Sequence, residues 1–154
     1  MIDPSELVER IWERDPTVWT GGDEAQWLGW LDEPARMLEQ VDGILSFAND
    51  FVSAGAIDGV VVLGMGGSSL APEVMRLTIS AAAGFPRFQM LDSIDPDAVR
   101  SAMEDVERTL FIFASKSGGT IEPNSMAAEA RQRLQIAGFT DWGSRFVAIT
   151  DEGT

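Results

Sequence analysis

The residues best suited to chemistry sit in one short stretch, S-K-S-G-G-T at Ser115 to Thr120, directly after the apolar run Leu110 to Phe113. Three hydroxyls, two glycines and a lysine lie between a run that reads as a buried strand and a segment that reads as a helix. Such a turn makes an anion pocket. The first amides of the helix have no partners within it, and the positive end of its dipole faces the same way. Glycine lets several N–H groups converge on one ligand. Lys116 is the only lysine in a chain with 25 acidic residues, and its place in this turn points to a phosphate. The plainer reading is a capped helix start with Thr120 as N-cap.

A second turn of similar composition, G-M-G-G-S-S at Gly64 to Ser69, follows the β-branched run Val60 to Leu63. Gly64 and Gly66 match the first two positions of a dinucleotide fingerprint, but the third is Ser69; Asp92 would be the acidic partner. No G-K-S/T follows, so the P-loop reading fails. A dinucleotide fold does not need a second hydroxyl-rich anion loop after its third strand. A sugar phosphate does, with one loop for the phosphate and the other for the sugar hydroxyls.

Both turns need elements to hold them. Phe88 to Leu91 and Phe146 to Ile149 read as two further strands, making four with the runs at Val60 and Leu110. Helices are expected from about Leu70 to Ala83, from Asp95-Pro96 through Val99, Met103 and Val106, and from about Ile121 to Ala137. Strand, turn and helix three times over, then a fourth strand, is an α/β pattern with a parallel sheet covered on both faces. Ligands of such sheets bind at the carboxyl ends of the strands, where both turns fall.

Residues 1–58 read differently. Asp3-Pro4 opens a short helix, residues 13–23 are turn-rich, and a second short helix carries Trp27, Leu28, Trp30 and Leu31. A longer helix is expected from Glu33 to Ala54, with Leu38, Val41, Leu45, Ala48 and Val52 at helical spacing and Gly55 as its stop. Four of the five tryptophans lie in this arm, where packing on a neighbouring domain or subunit is the expected role rather than a ligand cage.

Composition narrows the chemistry. The 154 residues carry a formal charge of −14, which argues against nucleic acid or an anionic membrane as partner. Residues 1–58 hold 13 acids and three arginines, and residues 59–154 hold 12 acids and eight bases, so the acidity belongs mainly to the arm. With no histidine and no cysteine, a Ser-His-Asp triad, thiolate chemistry and a Cys/His metal cluster are all excluded within the chain. No cofactor or metal is expected. The acidic start M-I-D-P-S-E-L-V-E-R lacks the pattern of a signal peptide. No apolar run approaches the roughly 20 residues a membrane span needs, and a cytoplasmic protein is expected.

Val60 to Glu73 (V-V-V-L-G-M-G-G-S-S-L-A-P-E) together with Ser115 to Glu122 resembles the sugar isomerase (SIS) domain, most nearly the first such domain of bacterial phosphoglucose isomerases. D-S-I-D-P at Asp92 to Pro96 and V-A-I-T-D at Val147 to Asp151 are similar to that family's second and fourth strand ends. The arm, with R-I-W-E-R-D-P-T-V-W-T-G-G at Arg10 to Gly22 and L-G-W-L-D at Leu28 to Asp32, resembles the isomerase part of transaldolase–phosphoglucose isomerase fusions.

The resemblance implies a three-layer αβα sandwich at 59–154 behind a helical arm at 1–58. It implies that Ser115, Ser117 and Thr120 hold the phosphate of glucose 6-phosphate or fructose 6-phosphate, with the Lys116 amide helping, while Gly67 and Ser68 contact the sugar. The implied reaction is aldose–ketose isomerisation through an enediol, without a metal, in a homodimer. This chain has S-K-S-G-G-T where many members have S-K-T-F-T-T, closer to the general SIS loop. The family's glutamate base, histidine and second domain have no match here, and Glu122 matches a glutamate beside the phosphate loop rather than the base. A truncated chain with no catalytic residue of its own is therefore expected, its SIS domain incomplete at the C-terminal end. Proton transfer typically contributes about 10²–10⁴-fold to rate, so such a chain would be inactive alone. Two other readings stand beside this one: a non-catalytic SIS module that senses sugar phosphates, and a dinucleotide-binding domain.

Overall fold

The four apolar runs become four strands of one parallel sheet: β1 (Gly59–Gly64), β2 (Arg87–Leu91), β3 (Thr109–Ala114) and β4 (Phe146–Ile149). Their spatial order is β2-β1-β3-β4. The structure, a computed structural model, describes residues 3–79 and 82–154. Among the described residues the α-helices are α1 (Pro4–Trp12), α2 (Glu33–Ala54), α3 (Gly67–Thr78), α4 (Pro96–Ala102) and α5 (Ile121–Ile136). The chain divides into two compact units, one up to Ala48 and one from Asn49 to Thr154.

In the second unit, β1 lies between β2 and β3, with Leu63 opposite both Leu91 and Phe113 and Gly64 opposite Ala114. With the right-handed crossovers usual for parallel strands, this order puts α3 on one face and α4 and α5 on the other, a three-layer αβα arrangement. Strand side chains alternate between faces. Val61, Leu63, Leu91 and Phe111 therefore share one face and form a buried cluster with Ala102, Met103, Met126, Ala130 and Leu134. Fully burying a side chain such as Phe111 contributes about 1.5–3 kcal/mol. Phe146 continues the cluster, its ring 5.4 Å from that of Phe111 and edge-on to Trp142 at 5.9 Å. At the amino ends of β1 and β3, Arg108 makes a two-pronged ion pair with Asp58, its Nη2 at 2.7 Å from Oδ1.

Helix α4 starts as expected, with Asp95 Oδ1 accepting from the Asp97 and Ala98 N–H groups at 3.0 and 3.1 Å. It ends at Ala102, because Met103 leaves the helical region; Met103 and Val106 are still buried, the latter from a separate 3-10 turn. The helix expected to reach Ala83 stops at Thr78, and residues 80 and 81 of that stretch lie outside the described residues.

In the first unit, Asp3 caps α1 by accepting from the Ser5 N–H at 2.9 Å. The turn-rich segment is a dense polar network. Arg10 reaches Asp15 Oδ2 and Thr17 Oγ1, both at 2.8 Å, and Glu24 accepts from the N–H groups of Thr20 and Gly22 at 2.9 and 2.7 Å. The Thr17 hydroxyl and N–H, with the Arg10 guanidinium, hold the Asp15 carboxyl down at about 2. The short tryptophan-bearing helix is a 3-10 helix over Glu24–Leu31, with Leu28 and Leu31 buried and no side-chain cap from Asp23. Trp12, Trp19, Trp27 and Trp30 are all exposed.

Helix α2 runs over the full span expected, and Gly55 follows at φ +64°. The first part of its apolar stripe is exposed, Leu38 at 76% and Leu45 at 53%, while Ala48 and Val52 are half-buried. Among the described residues no helix is long and apolar enough to cross a membrane.

Candidate functional site

The carboxyl end of β1 turns abruptly into α3. Gly64 permits this, since a Cβ there would sit 3.2 Å from both Cβ and O of Ser68 and 3.3 Å from the Ala114 carbonyl. Gly66 takes φ +56°, a region that disfavours side chains, and α3 begins at once. Ser68 N–H donates to Met65 O at 3.1 Å, and the N–H groups of Ser69 and Leu70 both donate to Gly66 O at 3.1 and 3.0 Å. The Ser69 hydroxyl donates to the same oxygen at 3.0 Å and is buried. The helix expected from Leu70 thus starts three residues sooner, because the hydroxyl and amides of the turn close its first turn. Gly67 and Ser68 consequently stand on the helix itself.

The carboxyl end of β3 behaves otherwise. Ser115 N–H donates to Ile149 O at 3.1 Å, extending the sheet by one bond, and Gly118 N–H folds back to Ser115 O at 3.2 Å. Five residues, Ser115 to Gly119, separate the strand from Thr120, the N-cap of α5. Thr120 has the extended backbone of an N-cap, but its hydroxyl makes no capping bond. It lies 3.1 Å from the buried Ser115 Oγ instead. The simple capping role is therefore not what this side chain performs. The N–H groups of Ser117 and Ile121 have no acceptor among the described residues.

Because β1 and β3 are neighbours, the two turns face each other across a cleft of about 480 Å³. All six residues singled out from sequence line it: Gly67 and Ser68 from one side, Ser115, Lys116, Ser117 and Thr120 from the other. Met65, Ala114 and Pro123 complete the walls. Sequence reasoning passes over Met65 and Pro123; their positions beside the glycines and hydroxyls of the two turns are the available signal. A larger cleft of about 680 Å³ touches the first residues of three strands, Gly59, Arg87 and Thr109. Two of its charged groups, Glu73 and Arg76, already pair with each other through two contacts of 2.6 and 2.8 Å. Among its lining residues none starts an α-helix.

The chemistry available in the smaller cleft is that of holding an oxyanion. The hydroxyls of Ser68, Ser115, Ser117 and Thr120, the Ser117 N–H and the sole lysine line it, beside the N-terminal end of α5 and its positive dipole. No carboxylate among the described residues lines it. Among the described residues no group of three or more acidic side chains is placed to hold a metal ion.

Residues 32–153 match the family model described as "Phosphoglucose isomerase". A glucose-6-phosphate isomerase from Synechococcus sp. (strain CC9605) is 34% identical over 123 residues, covering 72% of this chain and 23% of that protein. One from Prochlorococcus marinus (strain MIT 9211) is 29% identical over 153 residues, covering 97% and 28%. The chain thus spans about a quarter of the length of these relatives. A solved glucose-6-phosphate isomerase from Chlamydia trachomatis D/UW-3/Cx superposes with a TM-score of 0.65 at 28% identity, over 96% of this chain and 27% of that one. A hypothetical protein from Thermus thermophilus superposes with a TM-score of 0.68 at 27% identity, over 96% and 36%.

Proposed function

The chain belongs to the phosphoglucose isomerase family, and from that premise we propose that its cleft takes the phosphate of glucose 6-phosphate or fructose 6-phosphate. Ser115, Ser117 and Thr120 bind the phosphate oxygens, with the N–H groups of Lys116 and the first turn of α5 beside them. Gly67 and Ser68, presented from α3, meet the sugar. The observation that carries this reading is the Thr120 hydroxyl: it points to Ser115 Oγ at 3.1 Å rather than capping its own helix. A helix start without its side-chain cap is left to be satisfied by water or by a ligand.

Interconverting an aldose and a ketose phosphate through an enediol moves a proton between C1 and C2. That step needs a base, and the cleft lining supplies hydroxyls and an ammonium group only. These 154 residues therefore serve as the phosphate-holding portion of an isomerase whose proton transfer is done by other residues, and alone they turn over no substrate.

Calorimetric titration with 6-phosphogluconate, and separately with NAD, tests the proposal. Binding of the sugar phosphate that is weakened about tenfold in Ser115→Ala and in Thr120→Ala supports it. A folded chain that binds no sugar phosphate, or that binds NAD tightly, overturns it. Isomerase activity in a coupled assay of this chain would overturn the division of labour.

A further inference from the structure

An anion loop must point its amides at the ligand and its carbonyl oxygens away from it, since an oxygen facing the ligand repels it. In a trans peptide the C=O and the following N–H point in opposite directions, so anchoring one aims the other; no cis peptide occurs among the described residues. In the β3–α5 turn three carbonyls are held from outside it, while Ser115 O accepts from the Gly118 N–H within it and Thr120 O also accepts from the Asn124 backbone N–H at 3.3 Å. Lys116 O accepts from the Asp151 N–H at 3.1 Å and from Thr150 Oγ1 at 3.3 Å. Gly118 O and Thr120 O both accept from the side-chain amide of Asn124, each at 2.8 Å. Asn124 stands near the start of α5 and does not line the cleft, and neither does Thr150.

We infer that Asn124, with Thr150 as a second anchor, is a positioning residue for the anion site. One amide group holds the oxygens on either side of Gly119; the Gly119 N–H, turned the opposite way, donates to Ser117 Oγ at 3.3 Å and so fixes a hydroxyl that lines the cleft. Thr150 does the same for the peptide that ends in the Ser117 N–H. The role is indirect: neither side chain touches the ligand. The inference rests on the reading of the cleft as a phosphate site.

The test is titration of the whole chain with 6-phosphogluconate and, in parallel, with inorganic phosphate. Asn124→Leu keeps the volume and removes both donors; Thr150→Val keeps the shape and removes the hydroxyl. Asn124→Leu is expected to weaken both probes by about tenfold and Thr150→Val by roughly threefold, as expected for two lost hydrogen bonds and one. Asn124→Gln and Thr150→Ser return the donors and restore most of the affinity. Wild-type binding that is unchanged in both variants, even with a lowered melting temperature, marks residues that only stabilise the fold and overturns the positioning role. Absence of binding by the wild-type chain overturns the phosphate reading itself, and this inference with it. If Asn124→Leu does not fold by circular dichroism, the Thr150→Val and Thr150→Ser pair decides.

Discussion

The two glycine- and hydroxyl-rich turns leave neighbouring parallel strands at the same end of one sheet, yet they use their polar groups in opposite ways. After β1, the N–H groups of Ser69 and Leu70 and the Ser69 hydroxyl converge on a single acceptor, Gly66 O, and are consumed in starting α3. After β3, a longer excursion keeps the Ser115 and Thr120 hydroxyls on each other, with three carbonyls of the loop held by Asn124 and Thr150. Composition is nearly the same in both. What differs is the number of residues between strand and helix, which decides whether a turn's donors serve the fold or stay open for a ligand.

That contrast can be broken at several points. The largest effect is expected for Gly64→Val, which forces a side chain against Ser68 and the Ala114 carbonyl and so disturbs both turns together. It should cost about 1–3 kcal/mol of stability in urea denaturation and remove sugar-phosphate binding as well. A variant as stable as the wild type would show that the two turns do not depend on the close approach at Gly64.

Paired serine substitutions sharpen the contrast. Ser69→Ala should lower stability by about 1 kcal/mol and leave phosphate affinity unchanged, because its hydroxyl bonds only within the start of α3. Ser115→Ala should instead weaken 6-phosphogluconate about tenfold in calorimetry, with stability nearly kept. The reverse pattern would mean that the roles of the two turns have been exchanged.

The smallest effect is expected at the other end of the same two strands. The Arg108 guanidinium, by hydrogen bonding, holds the Asp58 carboxyl below its ordinary value of 3.8. A depressed carboxylate adds stability that is complete above the unfolded value and fades as pH falls through the folded one. Urea midpoints of the wild type should therefore drop below about pH 4 more steeply than those of Asp58→Asn. Phosphate affinity measured at neutral pH should be the same in both, which makes the pair a control for effects specific to the carboxyl ends.

Much of this architecture is legible in the sequence. β-branched and aromatic runs mark all four strands, and the bounds of α2, α5 and β4 follow from Gly55, Thr120 with Gly138, and the short run Phe146 to Ile149. All six proposed contact residues can be named because glycine and hydroxyl clusters after apolar runs have few other uses. The start of α3 is harder to place because Gly67 is a poor helix former, while the bonds from Ser68 and Ser69 that outweigh this are local geometry. The role of Asn124 is hidden for a related reason: an asparagine four residues past an N-cap reads as ordinary helix surface. Helical spacing in α2 identifies an apolar stripe, but periodicity reports which residues share a face and not what covers it. Leu38 and Leu45 remain exposed.

Gly64 and Ala114 face each other in the sheet with the whole of β2 and α4 between them in sequence. The two walls of the cleft therefore meet only after the chain has closed that long loop, a slow, non-local event in folding. A ligand that needs both walls binds the folded chain and not its precursors, so it draws the folding equilibrium toward the paired sheet as its concentration rises. A rise in melting temperature with added sugar phosphate would make the ligand a reporter of strand pairing between β1 and β3.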